Sequence, residues 1–135
     1  MNLAMIDVQQ MAAITGGDLE FQQELLETFS DDALQSIDAI KTALEQQDWQ
    51  RLYQLAHKLK GASSSAAILR VPDLARQLES QAQTYDEEGS ENHGGRNRAA
   101  PVAPAKADLR QLHEIVETLE STLLQLRFKV ERGHF

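Results

Sequence analysis

Apolar residues recur at steps of three and four along most of the chain, which is the spacing of one face of an α-helix. The longest such segment follows Asp18, a predicted N-cap, and ends near Gln46; its repeating apolar positions are Leu25, Leu26, Phe29, Ala33, Ile37, Ile40 and Leu44. The next segment follows Asp48, and its predicted inward stripe is Leu52, Leu55, Leu59, Ala62 and Ala66. The pattern therefore predicts two successive amphipathic helices.

Two further long helices and one short helix complete the pattern. A segment from about Val71 to Tyr85 has Pro72 in its first turn, where proline is tolerated, and repeats apolar residues at Val71, Leu74, Ala75, Leu78 and Ala82. The last segment, from about Ala107, repeats them at Leu109, Leu112, Val116, Leu119, Leu123 and Leu126. A short helix is predicted at residues 8–14, ended by Gly16. Because no segment alternates with the period of a strand, we predict an all-α fold: an antiparallel up-down four-helix bundle with a short extra N-terminal helix.

Residues 86–107, DEEGSENHGGRNRAAPVAPAKA, interrupt the pattern between the last two long helices. This segment holds three of the seven glycines and two of the three prolines, and it has no large apolar residue to place in a core. We predict that it is a flexible loop. The 135 residues are otherwise enough for one hydrophobic core, so residues 1–135 are predicted to form a single domain.

Composition excludes several classes of function. The chain has no cysteine, so a disulfide framework or thiolate metal site is excluded, which fits a reducing compartment. The N-terminus lacks a basic and apolar leader and no apolar run is long enough to span a bilayer, so we expect a cytoplasmic protein. The net charge of −8 repels phosphate backbones and anionic lipid. We therefore expect neither nucleic acid nor membrane as a partner.

The charge changes sign near the middle of the chain. Residues 1–50 contain ten acidic residues and one basic residue, Lys41. Residues 51–76 contain one acidic residue, Asp73, against five basic residues: Arg51, Lys58, Lys60, Arg70 and Arg76. A basic cluster alone is typical of a solvated helix face. This cluster surrounds His57, however, where it would provide counter-charge for an anion on the imidazole.

Helical geometry places His57, Lys60, Gly61 and Ser64 on one face, because they are spaced at i, i+3, i+4 and i+7. Glycine inside a helix costs about 1 kcal/mol relative to alanine. We expect Gly61 to compensate by leaving room beside the imidazole for an approaching partner. A neutral imidazole is a nucleophile near neutral pH, and lysines beside it can neutralise an anion. These are the requirements for a histidine that accepts a phosphoryl group.

The same residues resemble a known family. AHKLKGASS at 56–64 resembles the His-x-x-Lys-Gly signature of histidine-containing phosphotransfer (HPt) domains, helical bundles that relay phosphoryl groups between receiver domains in multistep two-component signalling. Similar flanking patterns extend the resemblance over about residues 6–85: ITGGD at 14–18, LLETF at 25–29, DW at 48–49 and LARQLE at 74–79. The resemblance implies that His57 is phosphorylated, Lys60 helps to neutralise the phosphate and Gly61 provides clearance. Lys58, Ser64 and Arg51 are the neighbouring residues predicted to contribute to binding.

The sequence departs from the family pattern in two places. Ala67 stands where the family commonly has glycine, which bears on how closely the second and third long helices approach each other. The segment 86–107 lengthens a connection that is usually shorter. Neither departure touches the residues implied to carry the phosphoryl group.

The resemblance also implies a mechanism and a class of partner. An aspartyl phosphate of a receiver domain donates its phosphoryl group to an imidazole nitrogen of His57. The partners are response-regulator receiver domains and, as a further possibility, a hybrid histidine kinase. The Mg²⁺ is expected on the receiver, so no cofactor is predicted on this chain. The chain is predicted to be a monomer, and a carrier rather than an enzyme. Ile6, Val8 and Met11 are hydrophobic residues that either help to dock the receiver or cap the end of the bundle.

Two alternative functions use the same predicted fold. One is the dimerisation and phosphoacceptor module of a histidine kinase, in which an acidic residue usually follows the histidine; here Lys58 follows it. The other is a binding adaptor that transfers nothing. The remaining histidines, His93, His113 and His134, lack the Lys-Gly context and are expected to be surface residues. The single Glu-x-x-His at 131–134 does not make a di-iron site, so no metal is predicted.

Overall fold

The computed structural model describes residues 5–91 and 106–133, and within them it contains five α-helices. In chain order these are α1 (Val8–Thr15), α2 (Leu19–Glu45), α3 (Trp49–Ser65), α4 (Val71–Glu91) and α5 (Lys106–Arg132). Helix α3 packs against α2 and α4, α5 packs against the same two helices, and α1 packs against α2. The predicted all-α bundle with a short extra N-terminal helix is confirmed.

Contacts between α2 and α5 fix the direction of these two helices. The side chain of Gln23 donates a hydrogen bond to the Val130 carbonyl oxygen (2.7 Å), and further along α2 the Lys41 ammonium pairs with Glu120 (2.6 Å). An ion pair between Asp31 and Arg127 lies between them. Residue numbers rise along α2 as they fall along α5, so the two helices are antiparallel.

Three aspartates define where the first three helices begin. A carboxylate oxygen of Asp7 accepts a hydrogen bond from the Gln10 backbone N–H (3.0 Å), and Asp18 and Asp48 cap α2 and α3 in the same way. Such caps satisfy backbone donors that have no partner within the helix. The N-caps predicted at Asp18 and Asp48 are therefore confirmed. Within the described residues, no helix combines the length and apolar content needed to cross a bilayer.

The buried face of α3 is rotated from the predicted one. Leu52 and Leu59 are buried as predicted and Leu55 is half-buried, but Ala62 is exposed and the neighbouring Ser63 is fully buried. The Ser63 hydroxyl donates to the Leu59 carbonyl oxygen one turn earlier (2.7 Å), which satisfies its polar group inside the core. The prediction for Ala62 was wrong because helical spacing allows either position 62 or position 63 to follow Leu59, and the contacts of α3 with both α2 and α4 turn Ser63 inward.

Helix α4 is longer than predicted. Residues 86–91, which the sequence predicts as part of the loop, are helical, whereas α5 begins at Lys106, within one residue of its predicted start. Each residue added to an existing helix gains a backbone hydrogen bond, and glutamate is a good helix former, so α4 continues without an apolar face. The rest of the predicted loop, residues 92–105, lies outside the described residues.

The connection between α3 and α4 contains Ala67 in a left-handed conformation, with φ of 60°. Such a conformation costs a residue with a Cβ roughly 1–2 kcal/mol, which explains why glycine suits this position. Ala67 is nevertheless buried, and its carbonyl oxygen accepts a hydrogen bond from the Asp7 backbone N–H (2.8 Å). Helices α3 and α4 remain in direct contact, so the alanine has not separated them.

Candidate functional site

His57 projects from the third turn of α3, with 61% of its side chain exposed. The ring lies nearly parallel to that of Tyr53, one turn earlier on the same helix, with 6.0 Å between the ring centroids. On the other side, Nδ1 is hydrogen-bonded to a carboxylate oxygen of Glu79 in α4. The imidazole is therefore held between two helices while most of its surface faces solvent.

Glu79 links His57 to Lys60. One carboxylate oxygen contacts His57 Nδ1, and the other accepts a hydrogen bond from the Lys60 ammonium at 2.7 Å. The residue is only 7% exposed. Burial by itself raises the pKa of this carboxyl, but the hydrogen bonds and charges of Lys60 and His57 outweigh it, so that the pKa lies below its ordinary value. Glu79 is therefore an ionised carboxylate at neutral pH.

The ionised carboxylate selects the tautomer of the histidine. A carboxylate is only an acceptor, so the hydrogen bond requires that Nδ1 of His57 carries a proton. In a neutral imidazole the other nitrogen, Nε2, then bears the lone pair. The hydrogen bond thus anchors one ring nitrogen and leaves the other as the nucleophilic atom.

Gly61 lies one turn after His57 in the interior of α3. A Cβ built at this position would meet no atom within 4 Å outside the local backbone, and the backbone is ordinarily helical. The space beside the imidazole on this side is therefore open, and a larger side chain would occupy it without disturbing the core.

The structure predicts opposite effects of Gly61 substitution on stability and transfer. Gly61→Ala should stabilise the fold by roughly 0.5–1 kcal/mol, because alanine loses less backbone entropy in a helix. Gly61→Gln should keep part of that gain. If the protein transfers phosphoryl groups through His57, the transfer rate should fall modestly for alanine and further for glutamine, whose side chain fills the open space. Thermal melts and transfer rates on the same variants test both effects.

A matched control is available at Gly16, where φ is 66° and a Cβ also meets no atom within 4 Å. Gly16→Ala should destabilise the fold, because a residue with a Cβ is strained at a positive φ even where its Cβ meets no other atom. If the Gly61→Gln variant transfers phosphoryl groups as fast as the wild type, the open space beside His57 has no role in transfer.

The structure separates the remaining predicted binding residues. Lys58 is exposed and borders a groove between α2 and α3 that Leu25, Phe29 and Ala62 also line. Ser64 is exposed two turns after His57, and its carbonyl oxygen accepts a hydrogen bond from the Gln10 side chain (3.2 Å), which places α1 beside this end of α3.

Arg51 does not share the histidine's face. It lies six residues before His57, about 120° around the helix axis, in the first turn of α3. The spacing that puts Lys60, Gly61 and Ser64 beside His57 therefore does not extend to Arg51, which is exposed near the start of α3.

The hydrophobic residues near the N-terminus have different environments. Ile6 and Met11 are buried in the core, whereas Val8 is 73% exposed. Ile6 and Met11 therefore hold α1 and the preceding segment against the bundle. Of the three residues considered for receiver docking, Val8 is the one whose side chain is exposed and can contact a partner.

Glu79 was missed by the analysis of the sequence, although a signal was present. It lies one turn after Ala75 and next to Leu78, within the predicted apolar stripe of α4. A carboxylate on an inward face must be paired, because burying an isolated charge is very costly. The nearest basic cluster in sequence is the one around His57. This reasoning points to the observed pairing, but the register of α3 against α4 is needed to choose the partners.

Comparisons with known proteins agree with this architecture. The sequence pattern of the family described as Hpt domain matches residues 24–122. Among solved structures, histidine-containing phosphotransfer protein B (HptB) from Pseudomonas aeruginosa PAO1 is similar, with a TM-score of 0.72 and 19% sequence identity over 97% of this chain and 95% of that chain. No curated protein sequence matches. At this identity the structural similarity supports the fold, and the family match carries the functional argument.

Proposed function

The chain belongs to the Hpt domain family, a family of histidine phosphotransfer carriers in phosphorelays, and we propose that Nε2 of His57 is the atom that carries the phosphoryl group. The observation that supports this most directly is the hydrogen bond from Nδ1 of an exposed histidine to a buried, ionised Glu79. It leaves Nε2 with its lone pair on a ring that is open to a partner.

The proposed donor is the aspartyl phosphate of a receiver domain. The Nε2 lone pair attacks phosphorus, an N–P bond forms, and the P–O bond to the aspartate breaks, so that the carboxylate leaves with the bonding electrons. The ring gains positive charge during this step, and Glu79 stabilises that charge through the Nδ1–H. Transfer to the next receiver is the reverse reaction. Positioning and charge neutralisation supply most of the catalysis in such transfers.

Lys60 contributes in two ways under this proposal. In the resting state its ammonium compensates the buried Glu79 carboxylate at 2.7 Å. Its side chain is 33% exposed, so the flexible stem can turn towards a phosphoryl group on the neighbouring imidazole. Lys58, also exposed, adds positive charge on the side that faces α2. We propose that the receiver provides the Mg²⁺. Proteins usually hold Mg²⁺ through one or two carboxylates, and the carboxylate beside His57, that of Glu79, is already hydrogen-bonded to His57 and Lys60.

We propose that the receiver docks on the face formed by Val8, His57, Lys58, Gly61 and Ser64. These residues come from α1 and α3, which the Gln10–Ser64 hydrogen bond holds together. The apolar groove between α2 and α3 continues this face beyond Lys58 and offers a place for an apolar side chain of the partner. The open space at Gly61 allows the partner backbone to approach the imidazole.

Incubation with phosphorylated receiver domains tests the proposal. Phosphoryl groups should move to this chain, and the label should be labile in acid and stable in base, as expected for phosphohistidine. Nitrogen-15 NMR of the labelled imidazole should then show substitution at Nε2. Substitution at Nδ1 would contradict the role given to Glu79, and no label from any receiver would favour a binding adaptor instead.

A further inference from the structure

The His57 imidazole has neighbours of very different size one turn before it and one turn after it on α3. The Tyr53 ring lies nearly parallel to the imidazole, with 13° between the two planes and 6.0 Å between the centroids, a separation typical of offset stacking. Gly61 has no side chain, and a Cβ built there would meet no atom within 4 Å. One side of the imidazole therefore faces an aromatic ring, and the other side faces open space.

Tyr53 is itself held in place by the core. Its side chain is half-buried and packs against the buried apolar residues, and the preceding residue, Leu52, is fully buried. A tyrosine ring has few torsions to restrain, so ordering it costs little conformational entropy. Its position one turn before His57 makes the two side chains neighbours on the helix surface. Tyr53 therefore presents a fixed, flat surface to the imidazole.

The hydrogen bond to Glu79 fixes one edge of the imidazole but leaves its plane free to turn. Hydrogen bonds tolerate moderate bending, and the torsion that turns a histidine ring about its Cβ–Cγ bond has a broad distribution. A second ring held parallel restricts this rotation, because turning the imidazole would end the stacked contact. The lone pair on Nε2 lies in the ring plane. The contacts with Glu79 and Tyr53 together therefore fix the direction in which this lone pair points.

We propose that Tyr53 is a positioning residue for phosphoryl transfer, which fixes the plane of the His57 ring. This inference rests on the proposed function of His57. As the N–P bond forms at Nε2 and the P–O bond to the aspartate breaks, the lone pair must point at phosphorus, and a misaligned ring reacts more slowly. The negative face of the tyrosine ring also lies towards an imidazole that gains positive charge in this step. The partner packs over the open side at Gly61 while its phosphoryl group meets Nε2 at the ring edge.

Single-turnover transfer over a range of phosphorylated receiver concentrations tests this role. Tyr53→Leu keeps an apolar side chain but removes the ring, and the maximal rate constant should fall about two- to tenfold, which corresponds to the usual contribution of an aromatic pair. The receiver concentration that gives half of the maximal rate should not change. Tyr53→Phe keeps the ring and should transfer like the wild type. A change in the half-saturating concentration alone would make Tyr53 a docking contact and overturn the proposal, as would a phenylalanine variant as slow as the leucine variant.

Trp49→Leu is the matched control for a general effect on α3. Trp49 is also a half-buried aromatic residue of this helix, one turn before Tyr53, but its ring contacts that of Tyr85, with 5.0 Å between the centroids. This variant should lower the free energy of unfolding and leave the maximal rate constant of transfer unchanged. If it slows transfer as much as Tyr53→Leu, the loss comes from α3 as a whole and the stacked ring has no separate role.

Carbon-13 NMR relaxation of the unphosphorylated protein tests the orientation of the ring without any transfer. The order parameter of the Cδ2–H bond of His57, which reports motion on the ps–ns timescale, should fall for Tyr53→Leu and stay at the wild-type value for Tyr53→Phe. His113, an exposed histidine on α5, is the internal reference and should not change. A wild type that accepts no phosphoryl group from any receiver contradicts the proposed function, whatever the order of the ring. Equal order parameters for His57 in all three proteins would overturn the role of Tyr53 and leave the proposed function standing.

Discussion

His57→Gln is expected to remove phosphoryl acceptance from this chain while leaving its fold unchanged. The side chain is mostly exposed, and Glu79 keeps its hydrogen bond with Lys60 when the imidazole is replaced. The free energy of unfolding should therefore change by no more than about 1 kcal/mol, as for other exposed charge contacts. Glutamine has no nucleophilic nitrogen lone pair, so transfer should fall to background. Labelling with a phosphorylated receiver, beside a thermal melt, measures both effects.

His113→Gln is the matched control for this experiment. His113 is an exposed histidine on α5, which packs against α2 and α4, and the same substitution there should leave labelling at the wild-type level. Peptide mapping of the labelled wild type should find the phosphoryl group in the segment that contains His57. Labelling of the His57→Gln variant at His93, His113 or His134 at the wild-type rate would refute the assignment.

Local features of the fold were predictable because they depend on residues close together in the chain. The caps at Asp18 and Asp48 and the three- and four-residue spacing of apolar positions act within one or two turns of a helix. The same holds for the face shared by His57, Lys60 and Gly61. One stretch of sequence is enough to place these residues together, and the structure does so.

Features that depend on how helices meet were not predictable in the same way. The pairing of His57 with Glu79 joins residues that are 22 positions apart and on different helices. It requires the register of α3 against α4, which the apolar pattern does not fix to within one turn. The burial of Ser63 in place of Ala62 has a similar origin, because α3 contacts α2 and α4 at once and its inward face is set by both.

The network also changes the interpretation of Lys60. The sequence predicts a lysine that neutralises a phosphate, whereas the structure pairs its ammonium with Glu79. A phosphoryl group on Nε2 and the Glu79 carboxylate would then compete for the same cation. Because the carboxylate retains the Nδ1–H of His57 in either arrangement, Lys60 can move without leaving a buried charge without a partner.

Substitution of Glu79 separates the two contributions that this carboxylate is proposed to make. Glu79→Gln keeps an oxygen that can accept the Nδ1–H but removes the negative charge, and Glu79→Ala removes both. We expect the transfer rate to fall about 100-fold for alanine, the lower end of the range of positioned acid–base groups, and by less, about tenfold, for glutamine, which keeps the hydrogen bond. Alanine should also destabilise the fold by about 1.5–3 kcal/mol at neutral pH, the usual contribution of a hydrogen bond to a charged group. Single-turnover transfer and urea unfolding measure these effects.

The pH dependence of stability gives an independent test of the same carboxylate. The pKa of Glu79 is lower in the folded protein than its ordinary value of 4.5, so its contribution to stability is fully present above that value and is lost as the pH falls through the lower, folded pKa. Glu79→Gln should remove this part of the acid-induced loss of stability. Asp73→Asn is the matched control for transfer, because Asp73 is an exposed carboxylate on the same helix that pairs with Arg76 at 3.4 Å, and the transfer rate of this variant should equal that of the wild type. If Glu79→Gln transfers at the wild-type rate and loses stability in acid as steeply as the wild type, the buried carboxylate neither positions the imidazole nor stabilises its charge.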